Sequence, residues 1–235
     1  MNQLKTDVEH VLDNPVYSAL SGPAQAELAE LAERRGRVLR YRTDVSPFLG
    51  LPDDATGRDW ADAARIVGHG SAAYVHHSGP VPATWTVADR FDVVQMTAPP
   101  AVTGAPDARA VRLGAADVPE MLDLARRTKP GPFLPRTVEM GTYLGIRRDG
   151  VLAAMAGERM RPAGWVEISA VCTAPEHRGQ GLVGSLVRAL IAGIAGRGER
   201  VFLHAAATNT NAIRLYEALG FAVRRELFMT VLHPR

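Results

Sequence analysis

The chain has 235 residues, a formal net charge of +2 at pH 7 and 46% hydrophobic residues. These values are typical of a globular protein of one or two domains, and they give no reason to expect a nucleic-acid or membrane partner. The single cysteine, Cys172, excludes an intrachain disulfide. With the lack of a hydrophobic signal core in the first residues, it favours a cytoplasmic location.

Residues 1–100 predict an N-terminal α/β domain without a defensible chemical motif. A Ser-Gly-Pro start and the spacing of Leu28 and Leu31 predict a helix over residues 21–36. The later segments predict a strand from 37, a helix at 59–68 and strands at 71–79 and 84–98. His76 and His77 are adjacent, so in a strand they would point to opposite faces, which favours packing over a shared ligand.

Residues 101–109, rich in Pro, Gly and Ala, predict a linker, and residues 110–235 predict a second domain. That domain begins with a short strand and a helix over 115–128, with Met121, Leu122, Leu124 and Ala125 facing inward. Asp149-Gly150 predicts a hairpin. A buried strand at 164–174 and alternating helices and strands follow, which together predict a mixed α/β fold around a central sheet.

Residues 179–184 read Gly-Gln-Gly-Leu-Val-Gly, which matches the G-x-G-x-x-G pattern of dinucleotide-binding proteins. The context does not match, because Ala174–Arg178 separates the glycines from the strand and the next strand ends without an acidic residue for the ribose. A glycine-rich turn at a helix N-terminus, next to Arg178, still suits a phosphate. These residues therefore predict a site for another pyrophosphate ligand.

Two segments in this order resemble the GCN5-related N-acetyltransferases (GNAT), within them the FR47-like group. The first is SAVCTAPEHRGQGLVG (169–184), and the second is NTNAIRLYEALGF (209–221). The resemblance covers about residues 110–235 and implies a central mixed, mostly antiparallel sheet flanked by helices. It departs at Val183, where glycine or alanine is usual. Two-lobed relatives suggest that residues 1–100 are a degenerate second lobe, which would shape the acceptor cleft or make a dimer contact.

The resemblance implies acetyl-CoA as cosubstrate, with no metal. The backbone of Val171, Cys172 and Thr173 would hold the pantetheine arm. The pyrophosphate would bind at Arg178, Gly179, Gln180, Gly181, Leu182, Val183 and Gly184. Asn209 matches a cofactor-contacting asparagine, and its simplest structural role is a helix N-cap, with Thr210 and Asn211 as rivals.

Two residues match catalytic positions of the family. Glu167 lies eleven positions before Arg178, as the catalytic glutamate of histone-modifying members does, and burial would raise the pKa of its carboxyl toward that of a base. A salt-bridged or edge-exposed glutamate is the alternative. Tyr216 matches the tyrosine that protonates the leaving thiolate, with a core tyrosine as its alternative. Cys172 as a covalent nucleophile is disfavoured, since its strand is apolar.

The implied reaction is N-acetylation of a primary amine of a small molecule or an amino acid. The loop after the first helix of the domain would form the acceptor wall, with Phe133, Arg136 and Glu139 as candidates. A longer acyl-CoA donor, or a non-catalytic CoA-binding module, remain alternatives. The sequence is also compatible with assembly into a homodimer.

Overall fold

The computed structural model of the chain describes residues 10–23 and 30–235. Its α-helices are α1 (Pro15–Ser21), α2 (Gly57–Val67), α3 (Val118–Thr128), α4 (Leu182–Ala195) and α5 (Thr210–Ala218). Its strands are β1 (Ala32–Arg35), β2 (Val38–Tyr41), β3 (Leu49–Gly50), β4 (Ala73–Val75), β5 (Trp85–Thr97), β6 (Ala110–Leu113), β7 (Tyr143–Arg148), β8 (Val151–Glu158), β9 (Trp165–Thr173), β10 (Arg200–Ala206) and β11 (Ala222–Pro234). No helix in these ranges is long and apolar enough to span a membrane.

The main sheet has eight strands in the order β4-β11-β5-β10-β9-β8-β7-β6, and β1, β2 and β3 form a small separate sheet. Every pairing in the main sheet is antiparallel except the one between β9 and β10. This confirms the expected mixed α/β architecture with a mostly antiparallel sheet. The predicted hairpin joins β7 and β8, and both Asp149 and Gly150 have the positive φ that a type I′ turn requires.

The two faces of the sheet are covered by different elements. On β8, Ala154 and Ala156 pack in the cluster that contains α4, whereas Met155 between them packs in the cluster that contains α3. Phe202 of β10 likewise faces away from α4 and packs with α1, β2 and the loop after β2. The face opposite α4 is therefore shared by α3 and the N-terminal elements, which lie side by side on it.

The prediction of a helix over residues 21–36 is wrong for residues 32–35, which form a strand. Residues 24–29, at the centre of that prediction, lie outside the described residues. Ala32–Arg35 forms strand β1, which pairs with β2 across a two-residue turn at Gly36 and Arg37. Gly36 has a φ of 58°, a conformation that suits such a turn. Alanine, glutamate and arginine favour helices, but the hydrogen bonds to β2 override that weak local preference.

The predicted division near residue 100 does not divide the sheet. Strand β5 precedes it and lies between β10 and β11, in the middle of the main sheet. The described N-terminal residues therefore contribute strands to that sheet and do not form a lobe with a sheet of the same kind. Residues 101–109 contain no helix or strand, yet they are fixed against α4, because the Ala105 N–H donates to the Arg188 carbonyl at 3.1 Å. Gly104 lies so close to α4 that a Cβ atom there would overlap the helix backbone.

Candidate active site

Strands β9 and β10 separate at their carboxyl ends. Their parallel pairing runs from Trp165 opposite Arg200 to Ile168 opposite Leu203 and stops there. Immediately afterwards β9 contains a bulge, marked by a register shift against β8 and by Ala170, whose φ is 53°. A bulge bends its strand locally, and a non-glycine residue in the left-handed region is uncommon outside functional sites. The result is an opening between two central strands.

A cavity of about 260 Å³ lies at this opening. On one side it is lined by residues of β9, β10 and α5 and the loop before α5, among them Ser169, Ala170, Val171, Ala205, Asn209 and Tyr216. On the other side it is lined mainly by N-terminal residues and β11, among them Val16, Phe48, Tyr74, His76, Phe91 and Met229. Tyr216 packs in the cluster on the α4 face, whereas Phe48 packs on the opposite face, so the cavity reaches both faces of the sheet.

The glycine-rich turn connects β9, whose residues Ser169, Ala170 and Val171 line this cavity, to α4. Gly179 and Gly181 have φ values of 77° and 69°, and Gly181 is the N-cap of α4. Arg178, Gly179, Gln180 and Gly181 are exposed. The first hydrogen bond of α4 runs from the Ser185 N–H to the Gly181 carbonyl, so the preceding helical N–H groups have no partner within the helix. The turn thus offers free amides and the positive end of a helix dipole.

The other predicted cofactor residues are distributed between the cavity and the core. Val171 lines the cavity, whereas Thr173 does not and the Cys172 side chain packs in the cluster under α3. Leu182 and Gly184 are buried on the inner side of α4 and Val183 is half-buried there, so any contact from these three to a phosphate runs through the backbone. Asn209 is the N-cap of α5, since its side chain accepts from the Ala212 N–H at 3.1 Å. Sequence reasoning did not assign Ser169 and Ala170 to the site, because the bulge that brings them to the cavity leaves no local signal.

The buried thiol of Cys172 is not a nucleophile in this arrangement. Burial raises the pKa of Cys172 to about 11, which exceeds the smaller lowering by its hydrogen bonds to Thr128 and Met155. The thiolate fraction at neutral pH is therefore very small, and the side chain is absent from the cavity lining. Within the described ranges, no group of three or more histidine, cysteine, aspartate or glutamate side chains is arranged to hold a metal ion.

The similarity to known proteins agrees with this geometry. The FR47-like protein family model matches residues 143–229. A solved protein assigned to the GNAT family of acetyltransferases, from Novosphingobium aromaticivorans DSM 12444, is 41% identical and superposes with a TM-score of 0.86, covering 97% of this chain and 100% of its own. The chain belongs to the GNAT family of acetyltransferases.

Two more distant solved structures share the fold. A GCN5-related N-acetyltransferase from Kribbella flavida is 18% identical with a TM-score of 0.57, covering 92% of this chain and 95% of its own. A Drosophila protein, also 18% identical, has a TM-score of 0.67 and covers 99% of this chain and 93% of its own. No curated protein matches the chain.

In this GNAT protein Glu167 does not have the properties expected of a base. Its carboxylate is fully buried and accepts two hydrogen bonds of 2.7 Å from the Arg159 guanidinium and one of 2.7 Å from His204 Nδ1. Burial raises the pKa of Glu167, but the charge and hydrogen bonds of Arg159 outweigh it, and the pKa falls to about 2. The expectation of a raised pKa is therefore wrong, and the salt-bridged alternative is the observed arrangement.

Glu167 belongs to a buried polar network that continues through the paired residues His204 and Gln95. The Gln95 amide oxygen accepts from Arg224 at 2.8 Å, which directs the amide nitrogen toward His204 Nε2 at 3.1 Å. His204 Nε2 therefore accepts a hydrogen bond from the Gln95 amide, and Nδ1 donates one to Glu167. Both ring nitrogens of His204 are engaged, although the ring lines the cavity. This network holds the imidazole in one tautomer and orientation.

His76 is the cavity residue that sequence reasoning passed over. Its Nδ1 lies 2.9 Å from the Phe228 carbonyl oxygen, which can only accept, so Nδ1 carries the proton and Nε2 carries the lone pair. Nε2 has no hydrogen-bond partner among the described residues, and the side chain lines the cavity. Burial lowers the pKa of His76 and keeps the ring neutral at pH 7. Adjacent His77 instead packs against Trp60.

The predicted acceptor wall is only partly correct. Phe133 packs against Tyr143 in the core, and Arg136 pairs with Glu139 at 2.8 Å. None of the three candidates lines the cavity, because their side chains turn toward the core or the protein surface. The first residues of the same loop do line it, namely Lys129, Pro130, Gly131 and Pro132.

Proposed function

We propose that this protein transfers the acetyl group of acetyl-CoA to the primary amine of a small molecule or an amino acid. The observation that carries the proposal is the cavity at the β9–β10 opening, together with the exposed glycine-rich turn that follows β9 and leads into α4. One side of the cavity suits a pantetheine arm, since it is lined by small residues and bulged backbone. The turn suits a pyrophosphate, since it offers free amides.

Several residues of this chain fit acetyl-CoA. The pairing of β9 with β10 ends at Ile168, so Ser169 and Val171 have no strand on that side to occupy their backbone. Arg178 is exposed and has no ion-pair partner among the described residues, which leaves its guanidinium available to a phosphate. Acetyl-CoA supplies an activated acetyl group in the form of a thioester.

Tyr216 is placed to act as the proton donor. Its side chain is 6% exposed and lines the cavity, and its hydroxyl has no hydrogen-bond partner among the described residues. Burial raises the pKa of Tyr216 above its ordinary value, so the hydroxyl holds its proton at neutral pH. A retained proton next to the cofactor side of the cavity is what a leaving thiolate requires.

His76 is a better candidate than Glu167 for the proton acceptor. An ammonium group has no lone pair, so an acceptor amine must lose a proton before it attacks. His76 presents a neutral Nε2 to the cavity, whereas all the short contacts of the Glu167 carboxylate go to Arg159 and His204. We assign Glu167 a positioning role, because it holds Arg159 and His204, which both line the cavity, in place.

Calorimetric titration with acetyl-CoA tests the cofactor part of the proposal. We expect micromolar binding that weakens in Arg178→Ala, and no binding of NADH, which serves as the control ligand. Binding of NADH without acetyl-CoA would contradict the proposal. Tighter binding and faster turnover of a longer acyl-CoA would redirect it to the longer-chain alternative. Acetyl-CoA binding without turnover of any amine would support a non-catalytic module instead.

A further inference from the structure

The half of the cavity that is lined by N-terminal residues and β11 is mainly apolar and aromatic. Tyr74 makes edge-to-face contacts with Phe48 and Phe91, with ring centroids 5.9 and 6.1 Å apart. Leu227 and Met229 of β11 complete this surface. Aromatic rings and thioethers bind hydrocarbon groups with little cost in lost hydrogen bonds, and Met adapts to the shape of its neighbour.

The charges around this half are already neutralised by the protein. Arg159 lines the cavity, but its Nε and Nη2 atoms both donate to the Glu167 carboxylate. No aspartate or glutamate is among the described residues that line the cavity, and the one free cation among them is the exposed Lys129 at the end of α3. A second ammonium group on the acceptor would be desolvated here without a counter-ion, which is unfavourable. A carboxylate would find only the solvent-exposed Lys129, and an ion pair to an exposed side chain contributes little.

The cavity is also small. Its volume of about 260 Å³ lies just below the range of about 300–1,000 Å³ that is usual for small-molecule sites, and the acetyl end of the cosubstrate must occupy part of it. A peptide segment would not fit without a rearrangement of the N-terminal elements or of Lys129–Pro132. The acceptor that suits these walls is therefore compact.

We infer that the acceptor is a small primary amine with an aromatic or branched hydrocarbon body and no second charged group. The body packs against Phe48, Tyr74, Phe91 and Met229, and the amine points toward the β9–β10 opening. This inference rests on the proposed function. It narrows the acceptor class to amines that carry no other charged group, and it disfavours amino acids and polyamines. The N-terminal elements thereby determine specificity.

A panel of four acceptors tests the inference. Phenylethylamine and isoamylamine are predicted substrates, whereas L-phenylalanine, which adds a carboxylate to the same body, and spermidine, which adds ammonium groups, are predicted to be poor. We expect kcat/KM for phenylethylamine to exceed that for L-phenylalanine by about tenfold or more, as is typical when one group mismatches a pocket. The amine nitrogen forms an amide bond with the acetyl carbonyl carbon, the C–S bond of the thioester breaks, and CoA leaves as the free thiol with the proton that the amine gives up.

A cavity variant and a matched control separate binding from transfer. Phe91→Ala should raise the KM for phenylethylamine by about tenfold, leaving acetyl-CoA binding unchanged. Val87→Ala serves as the control, because Val87 lies on the same strand but is 50% exposed and outside the cavity. Binding of phenylethylamine in the absence of acetyl-CoA is measured by calorimetry in the wild type, in Phe91→Ala and in Val87→Ala.

The outcomes distinguish the two proposals. Binding of phenylethylamine that depends on Phe91, without acetyl transfer, would support the site and contradict the proposed function. Efficient acetylation of spermidine or L-phenylalanine in preference to phenylethylamine would support the function and overturn the inference. Absence of both binding and transfer would overturn both.

Discussion

Glu167 and Arg159 form a two-pronged ion pair, with both N–O distances at 2.7 Å, in which the glutamate side chain is fully buried and the arginine is 8% exposed. The Arg159 guanidinium also lies over the ring of Phe48, 4.8 Å from its centroid. This pair connects the centre of the main sheet to the N-terminal elements. A salt bridge buried this deeply contributes little net stability by itself, but the loss of one partner leaves the other charged and desolvated.

Glu167→Gln should therefore destabilise the protein by about 3 kcal/mol or more, because Arg159 loses its counter-ion. Denaturant unfolding at pH 7 measures the effect. Glu217→Gln is the matched control, since Glu217 is exposed on α5 and should change the free energy of unfolding by no more than ~0.5 kcal/mol. Equal stability of the two variants would contradict the role assigned to the pair.

The same pair predicts a pH dependence. The pKa of Glu167 in the folded protein is lowered to about 2, below the value of about 4.3 for an unfolded chain. The carboxylate thus stabilises the fold above pH ~4.3, and its contribution is lost as the pH falls toward the folded-state pKa. We expect the difference in unfolding free energy between the wild type and Glu167→Gln to shrink over this acidic interval. A difference that stays constant would contradict a lowered pKa.

Cys172 should resist thiol reagents in the folded protein. Its pKa is raised to about 11 by burial, and it is the single cysteine of the chain, so each reaction reports on this site alone. Labelling at pH 8 should be slow in the native protein and rapid in guanidinium chloride. Thr208→Cys, which adds an exposed thiol, shows that the reagent is active. Fast native labelling of the wild type would mean that the thiol reaches solvent.

Gly181→Ala should weaken acetyl-CoA binding. Gly181 has a φ of 69°, and the left-handed conformation costs an L-residue about 1–2 kcal/mol, which corresponds to a loss of affinity of about tenfold if the turn relaxes away from the ligand-binding shape. Gly193→Ala is the control on the same helix. Gly193 is exposed with open space around it, and alanine there should stabilise the protein by ~0.5–1 kcal/mol without affecting binding. Unchanged acetyl-CoA affinity in Gly181→Ala would separate the turn from the cofactor.

Tyr216→Phe should lower kcat by about 100-fold or more, which is the usual contribution of a positioned acid, with acetyl-CoA affinity unchanged. The phenolic proton is removed while the ring continues to pack against Phe221. Tyr17→Phe removes the same hydroxyl from a half-buried tyrosine outside the cavity and should leave kcat at the wild-type value. A wild-type kcat in Tyr216→Phe would show that this hydroxyl does not donate the proton.

His76→Gln should lower kcat by about 100-fold or more, as expected for the loss of a positioned base. It should also remove the acidic limb from the pH profile of kcat. Burial is the main cause that lowers the pKa of His76, and the hydrogen bond to the Phe228 carbonyl is the main one that raises it; Arg225 and His204 lower it further, and Asp53 opposes them. The activity should therefore decline on the acidic side only below the ordinary histidine pKa of about 6.5. His77→Gln, next to it but directed at Trp60, is the control. If the acidic limb persists in His76→Gln, another group is the base.

The sequence by itself determined the family and most of the elements of residues 110–235. Period-2 and period-3.6 patterns locate β9, α4 and β11, and Asp149-Gly150 specifies its hairpin, because these signals depend only on neighbouring residues. The glycine-rich turn and the Asn209 cap are equally local, since φ values and capping hydrogen bonds are set within a few residues. The family resemblance rests on those two segments and is confirmed.

Only the tertiary structure decided which residues surround the cavity. His76 and Tyr216 are 140 positions apart in the sequence (216 − 76 = 140), and they line one cavity because β4 pairs with β11 at the far side of the sheet. Glu167 looked like a base because its burial was foreseen but its partner Arg159 was not, and a nearby charge reverses the pKa shift that burial alone produces. The place of β5 in the main sheet is likewise a long-range pairing that local patterns do not encode. Local chemistry thus predicts the parts, and the long-range strand pairing determines which of them meet.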